Sequence, residues 1–422
     1  MNDLLIKNCI DFEGNKTDIL IKDGYIKENS PKIKAENIKE IDAKDHFVSS
    51  PFIDSHFHMD ATLSYGIPRV NESGTLLEGI QLWGELKPNL TADAIKDRAR
   101  KLCKWAIAKG TLAIRTHVDV SGKDLLAVEA LLDIKKEMKK YIDLQLVAFP
   151  QDGLLRSNCI ENLKASLNMG VDVIGGIPHF ERTMSDGAQS IKILCELAEK
   201  KSLLVDMHCD ESDDPLSRHV EMLAYETTRL GLQGRVTGSH LTSMHSMDNY
   251  YFSKLISLLM ESQLNIIANP LINITIQGRH DNYPKRRGMT RVPEQMDAGL
   301  TVAFGHDCVL DPWYPLGSQD MLEVAHMGLH IAHMTGIEDM KKCYKAVTSN
   351  AAKILRLDNY GLQPGCKGDM IILQCKSPVE AIRLKPARLF VIKNGEIISS
   401  TPPVNYKLNI SGEEQFTDLI HN

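Results

Sequence analysis

Two kinds of hydrophobic pattern divide the chain. Over the first fifty residues, short apolar runs alternate with turn residues: Leu4-Leu-Ile6, then Asp18-Ile-Leu-Ile21, then Lys22-Asp-Gly24 ahead of Tyr25-Ile26. Such spacing predicts short strands joined by tight turns. The C-terminal end repeats it, with Asp369-Met-Ile-Ile-Leu373, Leu389-Phe-Val-Ile392, Lys393-Asn-Gly395 and Glu396-Ile-Ile398. Asn-Gly between two apolar runs is a strong hairpin signal. Neither end can bury a sheet face alone, so residues 1–50 and 361–422 are expected to pair into one small β-sandwich domain.

Between them, over residues 51–360, apolar strands ending in polar residues alternate with helical segments. Eight strand ends fall near His56-Phe-His58, Arg115-Thr-His117, Phe149-Pro-Gln151, Pro178-His-Phe180, His208-Cys-Asp-Glu211, Ser239-His240, Ala268-Asn269 and Gly305-His-Asp307. The clearest helical periodicity runs over Thr91 to Lys109 and Ser190 to Lys200. Eight β-then-α units predict an α/β fold, a (β/α)8 TIM-type barrel inserted into the small β-domain. A doubly wound open sheet would want a Gly-rich phosphate turn after an early strand, and none is present. In a barrel the C-terminal strand ends carry the chemistry, and here those ends carry the histidines and acids.

Composition narrows the class of partner. The 422 residues suit a barrel with additions, and 43% hydrophobic content can build its core. A net charge of −6 draws the protein to neither nucleic acid nor acidic lipid, and the one dense basic run, Pro284-Lys-Arg-Arg-Gly288, reads as a solvated loop. Nine scattered cysteines without a Cys-x-x-Cys pair fit a reducing compartment and argue against a disulfide framework or a thiolate zinc site. With no signal peptide and no long apolar stretch, the expected location is cytoplasmic, the expected partner is a small molecule, and a homo-oligomer is compatible with a barrel of this size.

His56 and His58 stand at i and i+2, which on a strand puts both imidazoles on one face. His208 and His240 end the fifth and sixth strands and Asp307 the eighth. Histidines with one carboxylate make a ligand set for one borderline divalent cation, Fe(II) or Zn(II), between which donor type does not choose. Glu211, three residues past His208, can approach a water at that cation without ligating it, as a general base and then acid.

These segments resemble bacterial cytosine deaminase, a member of the amidohydrolase superfamily. The resemblance is carried by Ile53-Asp-Ser-His-Phe-His-Met-Asp60, Arg115-Thr-His-Val-Asp119, Phe149-Pro-Gln-Asp-Gly153, His208-Cys-Asp-Glu211, Asn282-Tyr-Pro-Lys-Arg-Arg-Gly288, Gly305-His-Asp307 and Asp311-Pro-Trp-Tyr-Pro-Leu-Gly317. It spans nearly the whole chain, to about Pro364. It implies hydrolytic deamination of cytosine or a 5-substituted cytosine, as in pyrimidine salvage. His56, His58, His208 and Asp307 would bind the metal, His240 would hydrogen-bond the attacking hydroxide, and Glu211 would shuttle protons. Gln151 would read the carbonyl and ring N–H edge, since an amide offers both donor and acceptor, and Trp313 would pack on the base. No lysine ends the fourth strand, Gly175-Gly-Ile-Pro-His-Phe180, so the site is expected to be mononuclear. His117, His179, His245 and His306 are expected to be hydrogen-bonded support residues.

One position departs from the family, where a second aspartate usually follows the metal-binding one. Here Cys308 follows Asp307. A thiol removes a charge and supplies a softer, less hydrated wall, so the pocket is expected to admit a C5 substituent such as the methyl of 5-methylcytosine.

Other readings stay open on the same residues. The metal set also serves a cyclic amide or urea hydrolase acting on a hydantoin or creatinine, or a deaminase acting on isoguanine. A catalytically dead relative would have lost a ligand or the acid, and all are present here. The zinc deaminases of nucleosides and flipped bases need Pro-Cys-x-x-Cys, which is missing.

Overall fold

A computed structural model describes residues 3–421 of the chain. Four strands open it: β1 (Leu4–Ile10), β2 (Lys16–Lys22), β3 (Tyr25–Ser30) and β4 (Lys39–Ser49). The barrel strands follow as β5 (Phe52–Phe57), β6 (Thr111–Asp119), β7 (Asp143–Phe149), β8 (Val173–Gly176), β9 (Leu204–Cys209), β10 (Val236–His240), β11 (Asn265–Ala268) and β12 (Val302–Phe304). The C-terminal segment adds β13 (Met370–Leu373), β14 (Arg388–Lys393), β15 (Glu396–Ser400) and an exposed hairpin of β16 (Tyr406–Ile410) and β17 (Glu413–Thr417).

Strands β5 to β12 pair in sequence order, all parallel. The sheet closes where β5 meets the residues after β12: the Asp307 amide donates to the His56 carbonyl at 2.8 Å, and the His58 amide to the Asp307 carbonyl at 3.0 Å. The predicted TIM-type barrel is therefore formed. Its closing seam holds three of the expected metal ligands.

The terminal strands join one seven-stranded sheet in the order β15-β14-β13-β4-β1-β2-β3. N- and C-terminal segments meet where β4 pairs with β13, Val48 opposite Ile372. The far edge bends back, and Tyr25 of β3 bridges Lys367 just ahead of β13. The sheet thus folds over an apolar interior of its own, including Leu4, Ile6, Ile19, Ile21, Met370 and Ile372. Phe47, Ile371 and Val391 point the other way, into the barrel core. β4 escapes the sequence pattern because Lys39-Glu-Ile-Asp-Ala-Lys-Asp-His46 is mostly polar, an alternation too sparse in apolar residues to stand out.

The helix expected over Thr91 to Lys109 is Ala92–Ala108, with the Thr91 hydroxyl accepting from the Ala94 amide as N-cap. That expected from Ser190 begins earlier, at Met184, behind the Thr183 cap. Its first turn is polar and lacks the apolar period. The basic run differs from a merely solvated loop. Arg286 pairs with Asp281 and donates to the Asp213 carbonyl at 2.9 Å, while Arg287 donates to the Ile331 carbonyl at 3.0 Å. Only the first basic residue of the run, Lys285, lacks such a tie and faces solvent.

Beneath the barrel mouth, Arg115 is fully buried. Its guanidinium donates to Gln145 at 2.7 Å, Asp206 at 2.9 Å and the Ile354 carbonyl at 3.1 Å. Ser239 donates to the other Asp206 oxygen at 2.6 Å. Removing one partner of a buried pair leaves the other charge unmatched, at about 3–5 kcal/mol. Arg115→Met is expected to lower the chemical-denaturation stability by that amount, and Arg115→Met with Asp206→Leu to recover most of it. An unchanged single variant would show that the pair holds nothing.

Candidate active site

The strand ends bring the expected residues to one place. His56 and His58, at the end of β5, face His208 at the end of β9: His208 Nε2 lies 3.2 Å from His56 Nε2 and 3.0 Å from His58 Nε2. Asp307 Oδ1 lies 3.3 Å from His58 Nε2 and 3.6 Å from His56 Nε2. Four donors around one centre at about 2.1 Å would stand about 3.0–3.4 Å apart, close to what is seen. Burial, and the crowding of the imidazoles on one another, holds His56 and His208 well below the usual histidine range, and burial alone takes His58 to about 3. Three neutral ring nitrogens meeting at a point cannot all be satisfied by hydrogen bonds to one another. A cation satisfies them, so the donor set fits one divalent metal ion. Among the described residues, donor triads His56-His58-Asp307, His56-His117-His208 and Glu211-His240-Asp307 each lie within 4.8 Å.

Backbone strain helps aim these groups. Asp210, His240 and Asp307 all adopt left-handed backbone, with φ of 50°, 70° and 70°. This conformation is costly for residues with a Cβ and tends to collect at functional sites. Asp210 is also the anchor of the Glu211 loop. Its carboxylate accepts from the His219 and Val220 amides at 3.1 and 2.8 Å, from the Ser217 hydroxyl at 2.7 Å, and from His219 Nδ1 at 2.8 Å. Asp54, two residues before His56, accepts from the His306 amide at 2.9 Å and from Gln319 at 2.7 Å. It braces the closing seam, and burial pushes its carboxyl up to about 7.

Glu211 Oε1 stands 3.1 Å from His240 Nδ1. The Asn273 amide nitrogen lies 3.0 Å from the same Nδ1 and the Asn269 amide nitrogen 3.2 Å from Nε2, which also stands 3.7 Å from Asp307 Oδ2. Burial pushes the Glu211 carboxyl up to about 8. It is a carboxyl poised to give and take a proton near the operating pH.

Of these groups, His58, His208, Glu211, His240 and Asp307 line a cavity of ≈530 Å³. Gln151, Trp313 and Cys308 line it, as expected. Cys308 is 3% exposed, its thiol donates to Asp307 Oδ1 at 3.7 Å, and burial raises it well above the thiol range, so it is a neutral wall. Trp313 packs 5.7 Å from Trp83, whose indole N–H donates to Asp119 at 3.2 Å. A Cβ on Gly79 would stand 2.4 Å from the Trp313 ring, so only glycine lets the helix Leu76–Leu86 lie against it.

Sequence reasoning missed that helix as a wall of the cavity, and with it Trp83. Its signal was the apolar spacing of Leu76, Ile80 and Trp83. It also missed Phe149 as a ring stacked on His208, centroids 4.1 Å apart at 15°. Of the expected support histidines, His245 bridges Asp213 at 2.9 Å and the Gly288 amide at 3.1 Å, and His306 bonds the Cys308 carbonyl at 2.9 Å. His117 departs from that expectation. Neither of its ring nitrogens has a hydrogen-bond partner, and it supports the cluster by packing 4.2 Å from the His56 ring. His179 lines the cavity with an unpartnered Nδ1.

Among the described residues, no helix is long and apolar enough to cross a membrane. The model of the amidohydrolase family, Amidohydro_3, matches residues 39–399. The chain is 40% identical to the 5-methylcytosine deaminase of Klebsiella pneumoniae, solved with 5-fluorocytosine, with a TM-score of 0.93 over 96% of this chain and 99% of that one. It is 30% identical over 409 residues to the N-isopropylammelide isopropyl amidohydrolase of Pseudomonas sp. strain ADP, covering 94% of this chain and 97% of the relative. It is 26% identical to the pterin deaminase of Rhizobium rhizogenes, covering 92% and 89%. The resemblance to cytosine deaminases holds in three dimensions, and the chain belongs to the amidohydrolase family as a hydrolase acting on C–N bonds.

Proposed function

We propose that the chain hydrolytically deaminates cytosine and 5-methylcytosine, giving the uracil or thymine base and ammonia. The observation that carries this reading is the meeting of three imidazole nitrogens, one carboxylate and a largely enclosed Glu211 at a cavity bordered by Gln151 and Trp313. The similarity to a 5-methylcytosine deaminase over nearly the whole chain supports it.

His56, His58, His208 and Asp307 would hold one divalent cation, which would lower the pKa of a water towards about 7. The remaining steps belong to the chain. Gln151 pairs with the carbonyl and ring N–H edge and fixes the ring in its plane. Trp313 and Phe149 confine the ring and exclude bulk water. His240 hydrogen-bonds the attacking oxygen and holds it below the amine-bearing carbon. Glu211 protonates the ring nitrogen as the oxygen adds. It then takes the proton of that oxygen and delivers it to the departing amine, so one carboxyl serves as acid, base and acid again.

Cys308 supports the 5-methyl substrate. A neutral thiol next to Asp307 gives a methyl group an uncharged neighbour, where a second carboxylate would have to be desolvated. Cys308→Asp is expected to lower the ratio of kcat/KM for 5-methylcytosine over cytosine by about tenfold or more, consistent with the 1–3 kcal/mol that one methylene is worth in a pocket. An equal or higher ratio in the variant would remove Cys308 from the account. Ammonia release from isoguanine, creatinine and hydantoin, assayed in parallel with the two cytosines, separates this reading from the other ring substrates. Faster turnover of any of those three than of either cytosine would overturn it.

A further inference from the structure

The cavity is larger than a single pyrimidine ring needs. Its ≈530 Å³ falls in the range, about 300–1,000 Å³, that accepts drug-sized ligands. Charged residues, including Lys87, Asp152, Glu181 and Arg182, line part of the cavity, but one wall beside the reacting groups is apolar. That wall begins on the helix Pro270–Ile276, whose Asn273 fixes His240. Ile272 and Ile276, four residues apart on one helix face, line the cavity and are 2% and 7% exposed. Across Glu211, Ser217 and His219 also line it, the Ser217 hydroxyl and His219 Nδ1 bonded to Asp210 at 2.7 and 2.8 Å and His219 Nε2 without a partner. A departing amine on the side of the helix Pro270–Ile276 therefore meets hydrocarbon.

We propose that this wall receives an alkyl group carried on the exocyclic nitrogen, so that the chain also hydrolyses N4-alkylcytosines and releases a primary alkylamine. The proposal rests on the cytosine-deaminating reading and enlarges its substrate class. The bonds are those of deamination. The water oxygen bonds to C4, the C4–N4 bond breaks with its electron pair going to nitrogen, and Glu211 passes that nitrogen the proton taken from the oxygen. C4 becomes a carbonyl, the products are uracil and R–NH2, and nothing is oxidised or reduced. What the substituent adds is apolar surface removed from water against Ile272 and Ile276, at about fourfold in kcat/KM per fully buried carbon.

The test uses the metal-loaded holoenzyme with cytosine, N4-methylcytosine and N4-isopropylcytosine. Uracil is followed by absorbance, and the released amine is identified after derivatisation. The expected result is one equivalent of methylamine or isopropylamine per uracil, with kcat/KM within about tenfold of cytosine and higher for isopropyl than for methyl. Ile276→Thr keeps the β-branch, deletes the terminal methyl and replaces Cγ1 by a hydroxyl. It is expected to lower the isopropyl-to-cytosine ratio by about 16-fold, the worth of two buried carbons. Cytosine turnover with no amine released from either alkylated base would overturn the proposal and leave the deaminase reading standing. No turnover of any of the three would overturn both. Alkylamine release with a ratio unmoved by Ile276→Thr would overturn the placement of the alkyl group on this wall.

Discussion

Glu211→Gln is expected to lower kcat for ammonia release by about 10²–10⁴-fold, with the fold and the bound metal retained. Glutamine keeps the shape and hydrogen-bonding reach of the side chain, so Asn273, His240 and the Asp210-anchored loop have no reason to move. It removes only the carboxyl's ability to give and accept a proton near neutral pH. The size of the effect follows from where the carboxyl stands. Its side chain is 10% exposed, 3.1 Å from His240, and pushed up to about 8, which keeps it close to the pH at which it must both give and accept a proton. A solvent-facing loop acid would have neither property. Metal content measured on the same preparation separates a lost proton carrier from a lost metal, and retained turnover in the variant would move the shuttle elsewhere.

His208→Ala is expected to weaken metal binding by more than about 100-fold and to abolish measurable turnover. Loss of an outer partner of a ligand already costs about 10–100-fold in metal affinity, and His208 stands at the centre of the cluster, 3.2 and 3.0 Å from the nitrogens of His56 and His58. The alanine also unstacks Phe149, so His58→Gln serves as a second variant that leaves that stack in place. Both variants are read by metal-to-protein ratio after dialysis against a chelator. The ion also bears on stability, because a ligand that binds only the folded state stabilises it. The wild type should therefore melt at a lower temperature after chelation, and the His208→Ala melting temperature should not respond to added metal. Full metal content in both variants would contradict this ligand assignment.

Much of the fold was legible because two periods of hydrophobicity do not mix. The barrel strands are short and apolar, and each ends on polar residues. β5 ends in His56-Phe-His58, β9 in His208-Cys, and β10 in Ser239-His240. A reader needs only the rule that chemistry gathers at C-terminal strand ends to collect the metal donors. The terminal strands were legible through their turns, Lys22-Asp-Gly24 and Lys393-Asn-Gly395. β4 was not, because half of it faces outward and its apolar residues are too few to set a period.

The parts of the site that stayed hidden are those set by long-range packing. Nothing local marks Trp83 as a neighbour of Trp313. The contact depends on Gly79 letting one helix approach a loop more than 200 residues away in the chain. His117 was placed near the rim, but its want of any hydrogen-bond partner is a property of the assembled barrel, where β6 carries it in between the His56 and His208 rings. The Asp210 anchor was equally invisible, since four of its bonds come from residues seven to ten positions on. Strand periodicity places a side chain on a face. What that face meets is decided by the rest of the chain.

The most direct measurement is ammonia release by the divalent-metal-loaded protein offered cytosine and 5-methylcytosine. The account predicts turnover of both, with kcat/KM for the methylated base at least equal to that for cytosine and in the range of about 10⁴–10⁸ M⁻¹ s⁻¹ usual for an enzyme on its own substrate. No ammonia from either base, with one metal ion bound per chain, would contradict it.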